Sequence, residues 1–339
     1  MYVKAKKLKL LVTTLSGIVI LFLLSILSLS IGASRIGFLD VLQAIRGIGD
    51  QSIVNVVWNI RFPRLLSAML VGFLLSVSGV VMQTLFRNPL IDPYIGGIAS
   101  GAAFGASLSL LLGYTLLSPS SPYAIPLTSF IGSFTSLLLT LLLSRLAGGS
   151  PLSLLLSGIA VGLFFSSATT VVIVAGGEKA HGVIFWLFGS FVTSSWRFLA
   201  IAFPVSIIAI MYVFLNARRL NALLLGDEDA SQLGVSVKVL RYTLLTILSI
   251  LSALAVSFNG IIGFIGLMAP HISRLIVGSD HRLLLPLSML IGSTILVLAD
   301  VAARMLIAPA ELPVGAITSV MGVPVFIHLL LRRGRYYEL

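Results

Sequence analysis

Residues 65–86 of this 339-residue chain have the sequence LLSAMLVGFLLSVSGVVMQTLF, which contains no charged side chain. A helix needs about 20 consecutive apolar residues to cross the hydrocarbon core of a bilayer. Lipid offers the backbone N–H and C=O groups no partner, so a spanning segment must satisfy them within its own helix. The stretch therefore predicts a transmembrane α-helix.

The same apolar character extends over the whole chain, which is 58% hydrophobic and 10% charged, with a mean hydropathy of +1.11. An ordinary soluble domain carries about 25% charged residues. No part of the sequence alternates apolar and polar residues over about ten positions, as the strands of a membrane barrel do. The predicted fold class is an all-α, polytopic membrane protein.

Apolar runs of this length recur, and we count about ten transmembrane helices. The predicted spans are 10–34, 65–86, 96–117, 124–144, 152–175, 198–217, 242–258, 260–277, 283–305 and 312–331. The stretch 242–277 is divided at the turn signal Asn259-Gly260, because a single span there would erase the excess of Lys and Arg on the cytoplasmic side. Both termini are then cytoplasmic.

No large loop separates the spans, so we predict a single transmembrane permease domain over residues 1–339. Spans two to five and spans seven to ten start on opposite sides of the membrane. Two inverted four-helix halves, a common transporter plan, are therefore plausible.

The net charge of +11 does not indicate nucleic-acid binding, because the basic residues stand in small groups at the ends of apolar runs. The absence of cysteine removes disulfides and thiolate chemistry. His271 has no second histidine or carboxylate nearby in sequence that would complete a metal site. Nucleotide-binding and hydrolase motifs are absent, so we predict no enzymatic activity and no cofactor in this chain.

The inner loop 216–241 is the polar connection where a cytoplasmic partner would dock. Acidic residues from Asp227 suit the start of a short helix, and Gly234 suits its end. We predict that this helix exposes Ala230 and Leu233 and that a second short helix follows Gly234. From the pattern alone, a docking knob and a solvated connector are equally compatible.

Four further features stand out along the chain. Gly97, Gly101 and Gly105 share a helix face, which favours close helix packing but also suits the lining of a pathway. Arg61 and Arg64 are expected to anchor the outer membrane interface. Asp300 and Arg304 are four residues apart and can pair on a helix. The aromatic-rich stretch 179–197 is predicted to be an interfacial outer helix.

Several ordered motifs closely resemble the permease family that imports vitamin B12, haem and iron-siderophore complexes. The resemblance covers roughly residues 35–333. The motifs that carry it include RFPR at 61–64, RNPLIDP at 87–93, NGIIGFIGL at 259–267 and ELPVG at 311–315.

This resemblance implies a homodimer in the bacterial inner membrane or the archaeal cell membrane. Two ATP-binding-cassette ATPase subunits would lie below it and hold ATP and Mg²⁺, and one periplasmic or lipid-anchored substrate-binding protein would lie above it. Residues 226–240 would form the coupling helices that bind the ATPase. The expected ATPase contacts are Gly226, Asp227, Ala230, Leu233 and Gly234.

The resemblance also implies roles for other residues. Arg61, Arg64 and Arg304 would dock the binding protein, although Asp300 could occupy Arg304 instead. The cytoplasmic gate would contain Arg145, Gly148, Gly149 and Ser150, and the pathway would contain Ser157, Ser166, Ser167, Thr169 and Thr170.

The substrate stays open at this stage among siderophore, haem, cobalamin and a small oxyanion such as molybdate. The alternatives to an ATP-driven importer are an ATP-independent secondary transporter or channel, and a purely structural membrane scaffold. Neither alternative needs a coupling knob at residues 226–238.

Overall fold

The computed structural model describes residues 2–32, 36–94, 96–111, 123–177 and 180–334, with side chains omitted for 2–11, 180, 328–330 and 332–334. All regular secondary structure within these ranges is helical. A π-helical turn, Val57–Arg61, separates the third helix from the fourth. The helices are α1 Tyr2–Ser30, α2 Phe38–Ile45, α3 Gln51–Val56, α4 Phe62–Leu85, α5 Ile98–Leu111, α6 Ala124–Leu146, α7 Pro151–Gly176, α8 Ala180–Leu187, α9 Trp196–Leu215, α10 Ala217–Leu223, α11 Asp227–Gln232, α12 Val237–Asn259, α13 Ile265–Val277, α14 His281–Met305 and α15 Val314–Gly334.

Seven helical segments in the described ranges are long and apolar enough to cross a membrane. They are the segment Val12–Ser30 of α1, the segment Gln51–Leu85 that ends with α4, and the helices α6, α7, α9, α12 and α14. The three shorter apolar helices, α5, α13 and the segment Val314–Ile327 of α15, fall at the remaining predicted spans. The predicted all-α membrane fold with about ten spans is confirmed. The last part of the predicted span 96–117, from residue 112, lies outside the described residues.

Two predicted helices are shorter in the structure than in the sequence prediction. The predicted span 260–277 becomes helical only at Ile265, because Gly260 and Phe264 have φ angles of 71° and 68° that a right-handed helix cannot contain. The predicted outer helix over 179–197 is helical over α8 and again from Trp196, where α9 begins, and Lys179 itself lies outside the described residues.

The predicted outer connection 35–64 is more helical than a loop, since Gln51–Leu85 forms one continuous helical segment. The π-turn within it ends just before Pro63. Proline has no N–H to donate to the carbonyl four residues earlier, and the Phe62 N–H bonds Val57 O, five residues back. Arg35 at the start of this connection lies outside the described residues.

The helices cluster into two compact units. The first contains residues 1–80, 191–221 and 263–339, and the second contains residues 81–190 and 222–262. The single permease domain over residues 1–339 and the inverted halves both stay predictions.

Small residues set the close helix contacts within each unit. In the first unit, a Cβ added at Gly79 of α4 would overlap the carbonyl oxygen of Gly266 in α13. In the second unit, Gly101 and Gly105 of α5 meet the backbone of α6 in the same way, at Gly132 and Thr128. The predicted close packing of the glycine face is confirmed for these two positions.

Candidate functional site

The segment between Gly226 and Val235 forms a compact turn of helix in the second unit. Gly226 has a φ angle of 138° and precedes α11, whose first turn carries three carboxylates that oppose the positive end of the helix dipole. Gly234 follows α11 with a φ angle of 80°, which favours glycine. The Val235 N–H then bonds the Ala230 carbonyl at 3.0 Å. The predicted short helix between two glycines is therefore present.

Two details of this segment were predicted wrongly. Ala230 is fully buried, whereas Leu233 is 65% exposed, so only the leucine is presented to a partner. No separate second short helix follows Gly234, because α12 begins at Val237 and continues to Asn259. Nothing after Ser236 breaks the helix, and its buried leucines recur at helical spacing through Leu240, Leu244 and Leu248.

Asp227 fixes this turn through two arginines. Its carboxylate forms ion pairs with Arg87 and with Arg241, the latter at 2.7 Å. Arg87 also donates from Nε to the Leu223 carbonyl at 3.1 Å. Arg87 is 140 residues from Asp227 in sequence, so no local pattern could have paired them.

We expect Asp227→Asn to loosen α11 without unfolding the protein. The side chains of Asp227 and Arg87 are 42% and 45% exposed, so the pairs stabilise the turn by only about 0.5 to 1 kcal/mol. Hydrogen exchange of the α11 amides should accelerate by about two- to fivefold. Asp229→Asn is the matched control, since this exposed carboxylate forms no ion pair in the described structure. Equal exchange in the two variants would contradict the role given to Asp227.

The predicted gate loop lines a cleft of about 640 Å³ together with the segment between Gly226 and Val235, which we call the coupling turn after its predicted role. Arg145, Gly148, Gly149 and Ser150 all contribute to its wall, opposite Asp227 and the start of α12. The two glycines, with φ angles of 94° and 69°, let the chain reverse between α6 and α7. Ser150 then caps α7 by accepting a hydrogen bond from the Ser153 N–H at 3.0 Å.

A second cleft, of about 570 Å³, lies beside α7 in the same unit. Of the predicted pathway residues, Ser166, Thr169 and Thr170 line it, whereas Ser157 and Ser167 do not. The Thr169 hydroxyl donates to Phe165 O at 2.8 Å, and the Thr170 hydroxyl donates to Ser166 O at 3.1 Å. These hydroxyl oxygens keep their acceptor capacity.

The walls of this second cleft combine small residues, four branched aliphatic side chains and one tyrosine. Gly97 lines the cleft and also approaches the Ser136 hydroxyl of α6, so this position serves both packing and the cavity wall. The Tyr94 hydroxyl donates to Ile262 O at 3.1 Å, and burial raises the pKa of Tyr94. The phenol therefore stays neutral and holds the rim of the cleft in place.

The three arginines predicted to dock a binding protein form a buried cluster in the first unit. Arg64 donates from Nε to Asp300 at 2.9 Å and makes a bidentate contact with Glu311 at 3.1 and 2.9 Å. Arg304 Nε lies 3.1 Å from Asp300 Oδ2, and Arg61 donates to the Leu29 carbonyl at 2.6 Å. The predicted pairing of Asp300 with Arg304 is confirmed by this distance.

Burial limits what this cluster can present to a partner. Arg61, Arg64 and Arg304 are only 6%, 8% and 7% exposed. Arg304 is further held by the Ser28 hydroxyl at 2.8 Å. The guanidinium groups are therefore committed to contacts inside the chain, and a docking role for them stays a prediction.

Sequence reasoning did not identify Glu311 as a partner of Arg64, because the two residues are 247 positions apart. The only signal was that both lie in motifs that carry the family resemblance. Among the described residues, no group of three His, Asp or Glu side chains could hold a metal ion.

The long apolar helices define a multi-pass helical membrane protein. The chain belongs to the FecCD transport family, whose sequence model matches residues 20–332.

Relatives and a solved structure cover nearly the whole chain. The hemin transport system permease protein HmuU of Yersinia pestis is 40% identical over 316 residues, which cover 92% of this chain and 94% of HmuU. The cobalamin import system permease protein BtuC of Halobacterium salinarum is 40% identical over 279 residues, which cover 82% of this chain and 74% of BtuC. A solved inward-facing conformation of a metal-chelate type ABC transporter is 33% identical, with a TM-score of 0.84, and the match covers 94% of this chain and 98% of that one.

Proposed function

We propose that this chain is the permease subunit of an ATP-binding-cassette importer that moves a metal chelate into the cytoplasm. Family membership supports the permease function, and the haemin and cobalamin permeases support a metal chelate as the class of substrate. The two relatives are equally identical to this chain and are named for different chelates. The comparison therefore supports a class of substrate and not one compound. A cleft lined by glycines, hydroxyl groups and aliphatic side chains suits a bulky ligand that is not gripped tightly.

The proposed assembly contains two copies of this chain, two ATPase subunits and one substrate-binding protein. ATP and Mg²⁺ would be bound by the ATPase, and this chain would supply no catalytic residue. The permease domain would span residues 1–339 in a plasma membrane, with both termini in the cytoplasm. Residues 226–240 would couple ATP hydrolysis to the gate loop across the cleft that they share.

One observation carries this proposal: the coupling turn is internally fixed and presents an apolar side chain outward. Ala230 and the Asp227 ion pairs hold α11, while Leu233 stays 65% exposed on a polar segment. An exposed leucine on an otherwise polar segment is available to contact an apolar surface of a soluble partner. An ATP-independent transporter or a structural scaffold does not need such a side chain, because neither binds an ATPase subunit.

The cluster of Arg61, Arg64 and Arg304 would assist capture of the binding protein at long range. Three guanidinium groups against the carboxylates of Asp300 and Glu311 leave an excess positive charge. Such a field speeds encounter with an acidic surface more than it adds affinity. Since the groups are buried, we do not assign them direct ion pairs with the partner.

We expect Leu233→Arg to weaken association with the ATPase subunit by tenfold or more, while the permease stays folded. A charged side chain in an apolar partner pocket would be desolvated without a counter-charge. The measurement is co-purification of the co-expressed ATPase in mild detergent, with stoichiometry by mass spectrometry. Ile48→Arg is the matched control, because Ile48 is 60% exposed in a turn of the predicted outer connection.

Retention of the ATPase by Leu233→Arg at the level of the Ile48→Arg control would remove Leu233 from the coupling surface. A permease that never retains an ATPase, even when unsubstituted, would favour the ATP-independent transporter.

A further inference from the structure

The helix α4 ends in a cap that places an arginine where glycine is usual. The Arg87 N–H bonds the Thr84 carbonyl at 3.2 Å, and the N–H of the next residue bonds the Gln83 carbonyl at 3.0 Å. These two bonds define a helix C-terminus that needs a left-handed residue at Arg87, whose φ angle is 49°. Glycine adopts this conformation without steric cost, whereas a residue with a Cβ does not. Capping of α4 therefore does not account for an arginine side chain at this position.

The Arg87 side chain joins this cap to the coupling turn. Its Nε atom donates to the carbonyl of Leu223, the last residue of α10, at 3.1 Å. Its guanidinium group also forms an ion pair with Asp227, the first residue of α11. One planar group with donors in a fixed geometry thus contacts the chain on both sides of the junction between α10 and α11. Movement of the coupling turn would therefore act directly on Arg87.

The connection 87–94 that follows the cap is braced along its length. Asn88 and Asp92 each accept a hydrogen bond from the backbone N–H two residues later, at 3.0 and 2.9 Å. Such turns fix the local backbone, and Pro89 and Pro93 fix two further φ angles. Pro93 is also buried. The connection is therefore a stiff, non-helical segment.

The far end of the connection lies at the second cleft. Tyr94 lines that cleft, and its hydroxyl donates to the Ile262 carbonyl at 3.1 Å. Ser166 on α7 lines the same cleft. The residues contacted at the two ends of the connection all belong to the second unit. The connection 87–94 thus has one end bonded to the coupling turn and the other end in the wall of the second cleft.

We propose that the connection 87–94 is a rigid linker that transmits movement of the coupling turn to the second cleft, with Arg87 and Tyr94 as its positioning residues. Coupling between distant sites is carried by rigid, hydrogen-bonded elements, and a stiff segment bonded at both ends is such an element. This inference rests on the proposed ATPase contact of the coupling turn, and it adds a route that does not pass through the gate loop. The Arg87 side chain, which the cap does not need, is the contact through which the movement enters.

The test measures how nucleotide changes access to the second cleft in the complex of the full-length chain with its co-expressed ATPase. The chain contains no cysteine, so Ser166→Cys introduces a single thiol at the cleft. Labelling of that thiol by a maleimide is followed by mass spectrometry of the permease, without nucleotide and with ATP, Mg²⁺ and vanadate. We expect vanadate trapping to change the labelling rate by about fivefold or more, the lower range of allosteric coupling.

Arg87→Gly is the decisive variant, because glycine suits the left-handed position and only the side-chain contacts are removed. We expect this variant to keep α4 capped and to abolish the nucleotide response of the labelling rate. A role of Arg87 confined to capping α4 predicts an unchanged response instead. Tyr94→Phe removes the hydroxyl bond to Ile262 at the far end of the linker, and we expect it to abolish the response as well.

The matched control is Arg218→Gln, which removes an exposed cation from the predicted inner loop 216–241 and is expected to leave the response unchanged. Tyr94→Phe keeps the contacts of the coupling turn, so the test stays valid if Arg87→Gly retains less ATPase. A full response in Arg87→Gly and Tyr94→Phe would overturn the linker. So would the absence of a response in a complex that retains the ATPase and has Arg87 and Tyr94 intact, although the ATPase contact would then stand. Failure of the unsubstituted chain to retain an ATPase would instead contradict the proposed function, and the linker with it.

Discussion

Replacing Gly79 by alanine is expected to lower the free energy of unfolding by about 3 kcal/mol, at the upper end of the usual cost of overpacking. The added Cβ would overlap the carbonyl oxygen, the carbonyl carbon and the Cα of Gly266. All three atoms belong to the backbone of α13, so no side-chain rotation can relieve the overlap, and α4 and α13 must separate. Separation removes the van der Waals contacts of the surrounding core.

The measurement for Gly79→Ala is unfolding in mixed micelles with increasing denaturing detergent, followed by circular dichroism. Gly263→Ala is the matched control in the same unit, since no atom lies within 4 Å of its added Cβ and its φ angle is not in the left-handed region. If the two alanine variants unfold at the same detergent fraction, the close approach of α4 to α13 is not required for stability.

Replacing Asp300 by asparagine is expected to destabilise the first unit by about 3 to 5 kcal/mol, the cost of removing one partner from a buried ion pair. Asp300 is 1% exposed and faces both Arg64 and Arg304. Asparagine preserves the shape but leaves two buried guanidinium groups with Glu311 as their remaining counter-charge. The side chain of Glu311 is 34% exposed, so water screens part of its interaction with Arg64.

A double-mutant cycle separates this charge effect from a change in shape. Asp300→Asn combined with Arg304→Gln removes both charges of the pair, so the double variant should lose less stability than the sum of the single variants. Asp40→Asn serves as the control for an exposed carboxylate that forms no ion pair in the described structure. Strictly additive losses would show that Asp300 and Arg304 do not stabilise each other.

The contrast between Ala230 and Leu233 illustrates the limits of sequence reasoning at the coupling turn. The glycines and acidic residues predicted a short helix, and that helix is present at Asp227–Gln232. Its exposed face could not be predicted, because a six-residue helix has too few positions to define an apolar stripe. Ala230 is buried in the folded chain, and the sequence does not encode which side of the helix its neighbours cover.

The predicted arginines of the first unit show the same contrast between what local sequence predicts and what packing decides. Spacing predicted the pair between Asp300 and Arg304, because residues four apart on a helix are neighbours. The contacts of Arg64 with Asp300 and Glu311 join residues 236 and 247 positions apart, and local pattern carries no information on them. The burial of Arg61, Arg64 and Arg304 results from packing. It makes direct ion pairs with a binding protein unsuitable as their expected role.

The sequence by itself determined that this protein is a helical membrane permease of about ten spans, because the bilayer imposes segment length, apolar composition and internal hydrogen bonding on every span. It also determined the family, through ordered motifs along most of the chain. Only the tertiary structure decided which polar side chains meet, as in the Asp227 ion pairs and the contacts of Arg64 with Asp300 and Glu311. Such contacts depend on how helices distant in sequence pack, and helical periodicity specifies which face is apolar but not which helix covers it.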